Sequence, residues 1–280
     1  MNTVTYNGTP LIYAEGGGGF TSTWSAKRWT GLTSFSGLYI WTDGENIYFS
    51  NNSNQYVLDK ATSTWSAKTW TGLTSFAGNK VWTDGENIYY SSGSTSQYIL
   101  DKATSTWSAK TWNGFTEIGG NNVWTDGENI YHSYSTNQYV LDKATSTWSA
   151  KTWTGLTSFS GFGIWTDGEN IYYSPGSTSQ YILDKATSTW SSKTWTSPAS
   201  FTASDVWTDG ENTYYSNGNT QRVLNKATSA WESTTWSGTP SGFSGSGIWT
   251  DGENIYYSSG SGHYVRGKET PISFVVYYNP

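Results

Sequence analysis

The sequence predicts an all-β chain assembled from repeated four-stranded antiparallel units, and three observations carry the prediction. The hexapeptide Trp-Thr-Asp-Gly-Glu-Asn occurs six times without a substitution, starting at Trp41, Trp82, Trp124, Trp165, Trp207 and Trp249, a period of 41 or 42 residues. Two more sets of tryptophans keep that period: Trp24, Trp65, Trp107, Trp148, Trp190 and Trp231, and, five residues beyond each, Trp29, Trp70, Trp112, Trp153, Trp195 and Trp236. The three sets account for all 18 tryptophans, so Trp is a scaffold residue here first. Finally, the runs around them are rich in aromatic and β-branched residues and are separated by Gly, Ser, Asn and Thr, the composition of short strands and turns.

One copy justifies the elements in order. Residues 79–84 (NKVWTD) read as strand A, 87–91 (NIYYS) as B, 97–103 (QYILDKA) as C and 106–112 (TWSAKTW) as D. Asp84-Gly85 fits a tight A–B turn, because Gly tolerates the positive φ that such turns demand. Asp59, Asp101, Asp142 and Asp184 read as acceptors for backbone N–H groups in the C–D turn, assisted by the Ser and Thr hydroxyls that follow. The fifth copy has Asn225 there, an exchange that a turn cap survives and an acid catalyst does not. Side chains alternate along Ile88-Tyr89-Tyr90, and Trp107 and Trp112 face opposite ways on a regular strand, so both faces of the unit are aromatic. A sheet that buries both faces and repeats at this period is stacked between copies of itself, as a β-propeller blade is.

Along the chain the order is one D strand, five complete ABCD units, then A, B and C. This predicts six blades, the ring being closed when the N-terminal D strand joins the last A, B and C. Seven blades is the alternative: residues 4–17 (VTYNGTPLIYAEGG) align without gaps to 81–94 (VWTDGENIYYSSGS), and 272–278 (ISFVVYY) fall where a seventh D strand would end. On the six-bladed reading, residues 1–20 are an N-terminal adaptor or degenerate repeat, 21–268 the propeller, and 269–280 a closing or flanking strand.

The run IYYSSGSTSQYILDKATSTW (88–107) resembles the core of a kelch repeat: an Ile-Tyr strand, a Gly-containing loop, Tyr and Asp in the next strand, and a short turn into Trp. The resemblance covers residues 21–268 and implies a kelch-like propeller, with a kelch-type protein–protein interaction scaffold among its possible roles. The opening VTYNGTPLI (4–12) resembles a short segment near the start of some phage tail proteins of Gram-positive hosts, which implies a virion or other extracellular setting.

Composition narrows the function classes. Burial must come from 18 Trp, 21 Tyr and 10 Phe in a chain of 280 residues; each ring can cover roughly 150–250 Å². A net charge of −6 with 15 dispersed basic residues offers no footprint for nucleic acid or an anionic membrane. No apolar run of about 18 residues is present, and the first residues show no signal peptide. The absence of cysteine excludes disulfides and thiolate metal sites.

Candidate chemistry reads as structure. Asp43-Gly44-Glu45-Asn46 and its copies carry oxygens, but Ca²⁺ needs about six to eight converging on one point. An Asx-stabilised turn with a solvated Glu is the simpler reading. The acids outside repeated positions, Glu15, Glu117, Asp205, Glu232 and Glu269, come from different units and do not form the close pair that glycoside hydrolysis requires. Arg28, Arg222 and Arg266 occupy unmatched positions, so a carboxylate clamp is not expected, and a glycosidase- or sialidase-like enzyme is the lesser alternative. His132 takes the second Tyr place of Ile-Tyr-Tyr and His263 replaces the Gln before strand C; both read as tolerated substitutions. No catalytic residue, metal or cofactor is expected.

Variation is one-sided. In a propeller the A–B and C–D turns share one face and the B–C and D–A connections the other. The first pair is nearly constant here and the second varies. The residues three and two before each hexapeptide Trp are Leu38-Tyr39, Asn79-Lys80, Asn121-Asn122, Phe162-Gly163, Ser204-Asp205 and Ser246-Gly247. With the loop residue Tyr134, the expected ligand-binding set is Leu38, Tyr39, Asn79, Lys80, Asn121, Asn122, Tyr134, Phe162 and Asp205. Mixed aromatic and amide groups suit sugars, and a protein epitope is nearly as compatible. The expected function is a non-catalytic recognition module for a cell-surface glycan or protein, on a phage tail or another attachment structure.

Overall fold

A computed structural model describes residues 4–6, 9–11, 23–93, 96–176, 178–197 and 201–267. The second repeat shows how the sequence builds a blade. Val81–Thr83, Ile88–Ser91, Gln97–Asp101 and Thr106–Ala109 pair in sequence order as strands A to D of an antiparallel sheet. Every strand is shorter than the sequence suggested. Asn79 and Lys80 belong to a 3-10 turn, Gly78–Lys80, and Trp112 lies beyond strand D in the connector to the next blade.

Six such blades form the ring. In the sixth, Ser25–Ala26 from the N-terminal end pairs with Gly262–Gly267, with Ala26 opposite Tyr264 and Ser25 opposite Val265. The first and last parts of the chain thus share one blade, and the seven-bladed alternative falls. The closing strand expected over 269–280 lies outside the described residues. Of the expected adaptor, Val4–Tyr6 and Thr9–Leu11 form a separate antiparallel pair whose backbone lies against the innermost strands of blades 1 to 4.

The alternation of side chains gives each blade two apolar faces, and each face packs on a neighbour. Val81, Ile88, Tyr90, Leu100 and Trp107 meet Trp41, Tyr48 and Val57 of blade 1. Trp82, Tyr89 and Ile99, on the opposite face, meet Val123, Ile130, Leu141 and Trp148 of blade 3, with Trp112 between them. The core is therefore six interblade clusters rather than one central one. Burying both faces of every sheet suits a fold whose aromatic rings are distributed at fixed spacing along the chain.

Polar bonds within each repeat hold strands A and B together. Trp41 Nε1 donates to Ser50 Oγ at 2.8 Å, and the corresponding bond recurs in every blade at 2.7–3.0 Å. Asp43 Oδ1 accepts the Glu45 and Asn46 N–H groups, while its Oδ2 accepts the Tyr48 hydroxyl at 2.9 Å. Thr42 Oγ1 accepts the Gly44 N–H and donates to the Asn46 carbonyl. Gly44 at φ 94° makes the turn possible. Burial first, and then the Asp charge, hold the Tyr48 hydroxyl and its counterparts in other blades well above the usual tyrosine range, so they remain donors. The carboxylate is thus committed to its own turn.

The connectors manage the outer edge. After each strand D the chain crosses over and runs parallel to strand D of the next blade, as at Thr71 beside Thr106 and at Asn113–Gly114 beside Thr147 and Trp148. This pairing covers an edge that would otherwise invite another chain. Close approach demands glycine: a Cβ on Gly72 would lie 1.9 Å from the Trp107 carbonyl oxygen. Lys27, Lys68, Lys110, Lys151 and Lys193 each place Nζ 4.6–4.8 Å from the ring centroid of the connector Trp two residues on. Each also donates to a Ser hydroxyl in the next blade. At the remaining connector, after blade 5, Thr234 stands in the Lys place; Arg266 instead lies 4.1 Å from the Trp236 ring and 3.4 Å from Asp209 Oδ2.

Candidate functional site

Just before each innermost strand the chain makes a 3-10 turn: Gly37–Tyr39, Gly78–Lys80, Gly120–Asn122, Gly161–Gly163, Ala203–Asp205 and Gly245–Gly247. Each turn touches the next around a closed ring at the channel mouth. Backbone sets the spacing. A Cβ on Gly78 would fall 2.2 Å from the Tyr39 carbonyl oxygen, and one on Gly120 would fall 2.1 Å from that of Lys80. The first residue of a turn is therefore small, whereas the second and third are not held to one identity by this contact.

The two faces differ in how they join blades. On the variable face, each B–C tip bonds the following connector through backbone groups: the Phe76 N–H donates to the Asn52 carbonyl at 3.1 Å, and the Phe159 N–H to that of Ser135 at 3.0 Å. On the constant face the joints use side chains. Lys102, Lys143 and Lys185 in C–D turns donate Nζ to the carbonyls of Asp43, Asp84 and Asp126 in the A–B turns of preceding blades, at 3.2–3.3 Å. Asp59, Asp101, Asp142 and Asp184 accept backbone N–H groups and a Thr hydroxyl within their own turns, as the sequence indicated. The Thr hydroxyl bond is the largest influence that lowers each of these pKa values. Asn225 keeps the acceptor role toward the Thr228 N–H. Side-chain joints constrain residue identity and backbone joints leave it open; the variable face mixes the two, with Gln55, Asn122 and Asp205 adding side-chain bonds between blades.

The ring gathers the expected residues on one mouth, in different states. Leu38, Tyr39, Asn79, Lys80, Asn121 and Asn122 are half-buried. Phe162 is 43% exposed and Tyr134 59%, the exposed large hydrophobic side chains among the described residues. Tyr134 ends strand Ile130–Tyr134, which lies against both the third and the fourth turns. Tyr39 packs edge-on against Phe49, 6.2 Å between ring centroids. Asn122 Oδ1 accepts the Ser160 hydroxyl of the next blade at 2.9 Å. Asp205 is only 6% exposed. Its carboxylate accepts from Thr202 Oγ1 at 2.6 Å, Asn217 Nδ2 at 2.8 Å and Ser244 Oγ at 2.9 Å, which ties blade 5 to blade 6.

The remaining polar candidates are scattered. His132 is 2% exposed, its Nε2 accepts the Gly119 N–H, and burial pushes its pKa down to about 4. His263 does the work of the Gln it replaces: Nε2 donates to the Thr33 carbonyl at 3.0 Å, as Gln97 Nε2 donates to the matching carbonyl of Thr116 at 3.5 Å. Burial lowers its pKa, more than the bond to Thr33 raises it. Arg222 donates to the Trp231 carbonyl, Arg266 is buried beside Asp209, and Arg28 follows the closing strand. Glu232 accepts from Asn225. Glu15 and Glu269 lie outside the described residues. Among the described residues no three His, Asp or Glu side chains are grouped to hold a metal, and no helix is long and apolar enough to cross a membrane.

No protein-family model and no curated protein matches the sequence. Solved structures do match the fold. The extracellular domain of BT4673, described as part of a hybrid two component system of B. thetaiotaomicron, superimposes with a TM-score of 0.52 at 10% identity, covering 97% of this chain and 45% of that one. PorZ, a bacterial surface component of the type-IX secretion system of Porphyromonas gingivalis, superimposes with a TM-score of 0.50 at 14% identity, covering 87% of this chain and 33% of that one. This chain thus spans less than half the length of either. At such identities the likeness is one of fold alone.

Proposed function

We propose that the chain is a non-catalytic recognition module that binds a cell-surface glycan or protein on the face carrying the ring of 3-10 turns. One observation carries the reading: six backbone-joined turns present chemically different side chains around one mouth, on blades that otherwise repeat nearly identical residues. Scaffold needs explain the constant face and, on the ring, Tyr39, Asn122 and Asp205; they leave the chemistry of Lys80, Asn121 and Phe162 unassigned. Two solved propellers of this shape, described as an extracellular domain and a bacterial surface component, support an extracellular setting. The kelch-like character of the repeat and a place on a phage tail or similar attachment structure belong to this proposal and rest on the sequence resemblances.

The test uses a labelled chain on a glycan array and on panels of intact Gram-positive and Gram-negative cells. Its comparison variant combines Lys80→Ala, Asn121→Ala and Phe162→Ala, residues of three successive turns. Tyr39, Asn122 and Asp205 are left in place because each makes a packing or polar contact that a truncation would break. Binding that disappears in the variant, with thermal unfolding unchanged, is the expected result. Equal binding by the variant overturns the assignment of the face.

A further inference from the structure

The ring is not chemically even, and its distinctive part lies where blades 3 and 4 meet. Three segments converge there: Gly119 to Asn122, Tyr134 to Asn137, and Ser160 to Gly163. The Phe159 N–H to Ser135 carbonyl bond ties the second to the third, and the strand ending in Tyr134 lies against the turns of the first and third. None of these residues is charged. The exposed large hydrophobic side chains among the described residues, Tyr134 and Phe162, stand on adjoining loops of this junction. The amides beside them are only partly engaged. Asn122 Oδ1 is held by the Ser160 hydroxyl, which fixes its plane and leaves Nδ2 without a bond to a described residue. Both amide heads gather over Gly119, where an added Cβ would lie 3.1 Å from Asn122 Nδ2 and 3.3 Å from Asn121 Oδ1.

We infer that this junction is a subsite for a neutral saccharide, with Phe162 and Tyr134 as stacking platforms and Asn121 and Asn122 as the hydroxyl partners. The inference rests on the reading of this face as a recognition surface and names its ligand class. A sugar ring presents an apolar C–H face and rim hydroxyls that both donate and accept. Aromatic rings match the first; amides, which carry both functions in one plane, match the second. Holding Asn122 in place before the ligand arrives lowers the cost of ordering it on binding. A charged sugar would meet no counter-charge among these three segments.

The experiment titrates the chain with chitohexaose, cellohexaose, maltohexaose, and mannose- and galactose-based oligosaccharides, read by calorimetry and saturation-transfer NMR. At least one should bind. Phe162→Ala and Tyr134→Ser should each weaken it about tenfold or more in Kd, the loss of one buried ring face. Phe162→Tyr should restore binding to near the parent value, and Glu86→Gln on the opposite face should change nothing. Saccharide binding that survives both ring removals overturns the inference. So does a chain that binds cells through the turn ring, lost in the triple variant above, but none of these saccharides; the recognition reading then stands with a protein or a charged glycan as its ligand. Failure to bind cells, arrayed glycans and oligosaccharides alike overturns both.

Discussion

Replacing Ser133 with Ala tests whether the Trp–Ser bond, and not serine's size, holds that position constant. Trp124 is 2% exposed and Ser133 fully buried, with Nε1 and Oγ 2.8 Å apart. Alanine preserves the shape but leaves a buried indole N–H without a partner, which costs about 1–3 kcal/mol. In a domain of this size each kcal/mol moves Tm by roughly 2–4 °C, so a fall of about 2–12 °C is expected in calorimetry. Ser149→Ala, on the exposed outer strand, is the control and should stay within about 0.5 kcal/mol of the parent. A double-mutant cycle with Trp124→Phe should return a coupling of at least about 0.5 kcal/mol, because either change alone removes the same bond. A Ser133→Ala protein as stable as Ser149→Ala would refute the reasoning. The bond occurs at closely similar length in all six blades, so Ser50→Ala and Ser216→Ala should give losses of the same order.

Two further outcomes follow from burial. His132 has a folded pKa of about 4 against 6.5 unfolded, so the unfolded chain binds the extra proton between those values. The contribution is whole above pH 6.5 and is lost as pH falls toward 4, by ~1.4 kcal/mol per pH unit and ~3 kcal/mol in all. His132→Tyr, the residue of four other copies, should flatten that part of the pH dependence in urea titrations at pH 7, 6, 5 and 4; equal slopes would contradict the assignment. Deleting residues through Thr30 removes the closing strand with Trp24 and Trp29, which belong to the clusters on either side of blade 6. At roughly 25 cal/mol per Å² two such rings are worth about 8–12 kcal/mol, comparable to a whole domain's stability. The truncated chain should lose cooperative unfolding; an unchanged transition would show that the ring does not depend on this closure.

Much of the architecture was legible because the repeat displays it six times over. Strict recurrence of three tryptophans announced stacked sheets, and the order D, ABCD, ABC announced a shared closing blade. The exchange of Asp for Asn225 separated a turn acceptor from an acid. Ser50 and its counterparts at the tenth position of each repeat were equally visible as constants. Their bonding partner was not, since Trp41 and Ser50 meet only when strands A and B pair in register. The candidate site was half legible. Spacing located Leu38 to Asp205 on one ring, but spacing does not report burial, and Asp205 lies under the surface with three donors while Phe162 stands clear.

The sequence by itself determined the strands, their turns and the two-faced burial, because these depend on alternation and turn chemistry within some forty residues of chain. Tertiary structure alone decided what happens between blades. Strand D ends early because the connector Trp packs in the cleft beside the next sheet, and glycines such as Gly78 and Gly120 are required by a neighbour's carbonyl rather than by their own turn. Arg266 reaches Trp236, thirty residues earlier, where no lysine is present to do so. Contacts across a closed ring join residues tens of positions apart that local alternation and turn chemistry do not link, so only the assembled blades reveal which side chains are committed and which face outward.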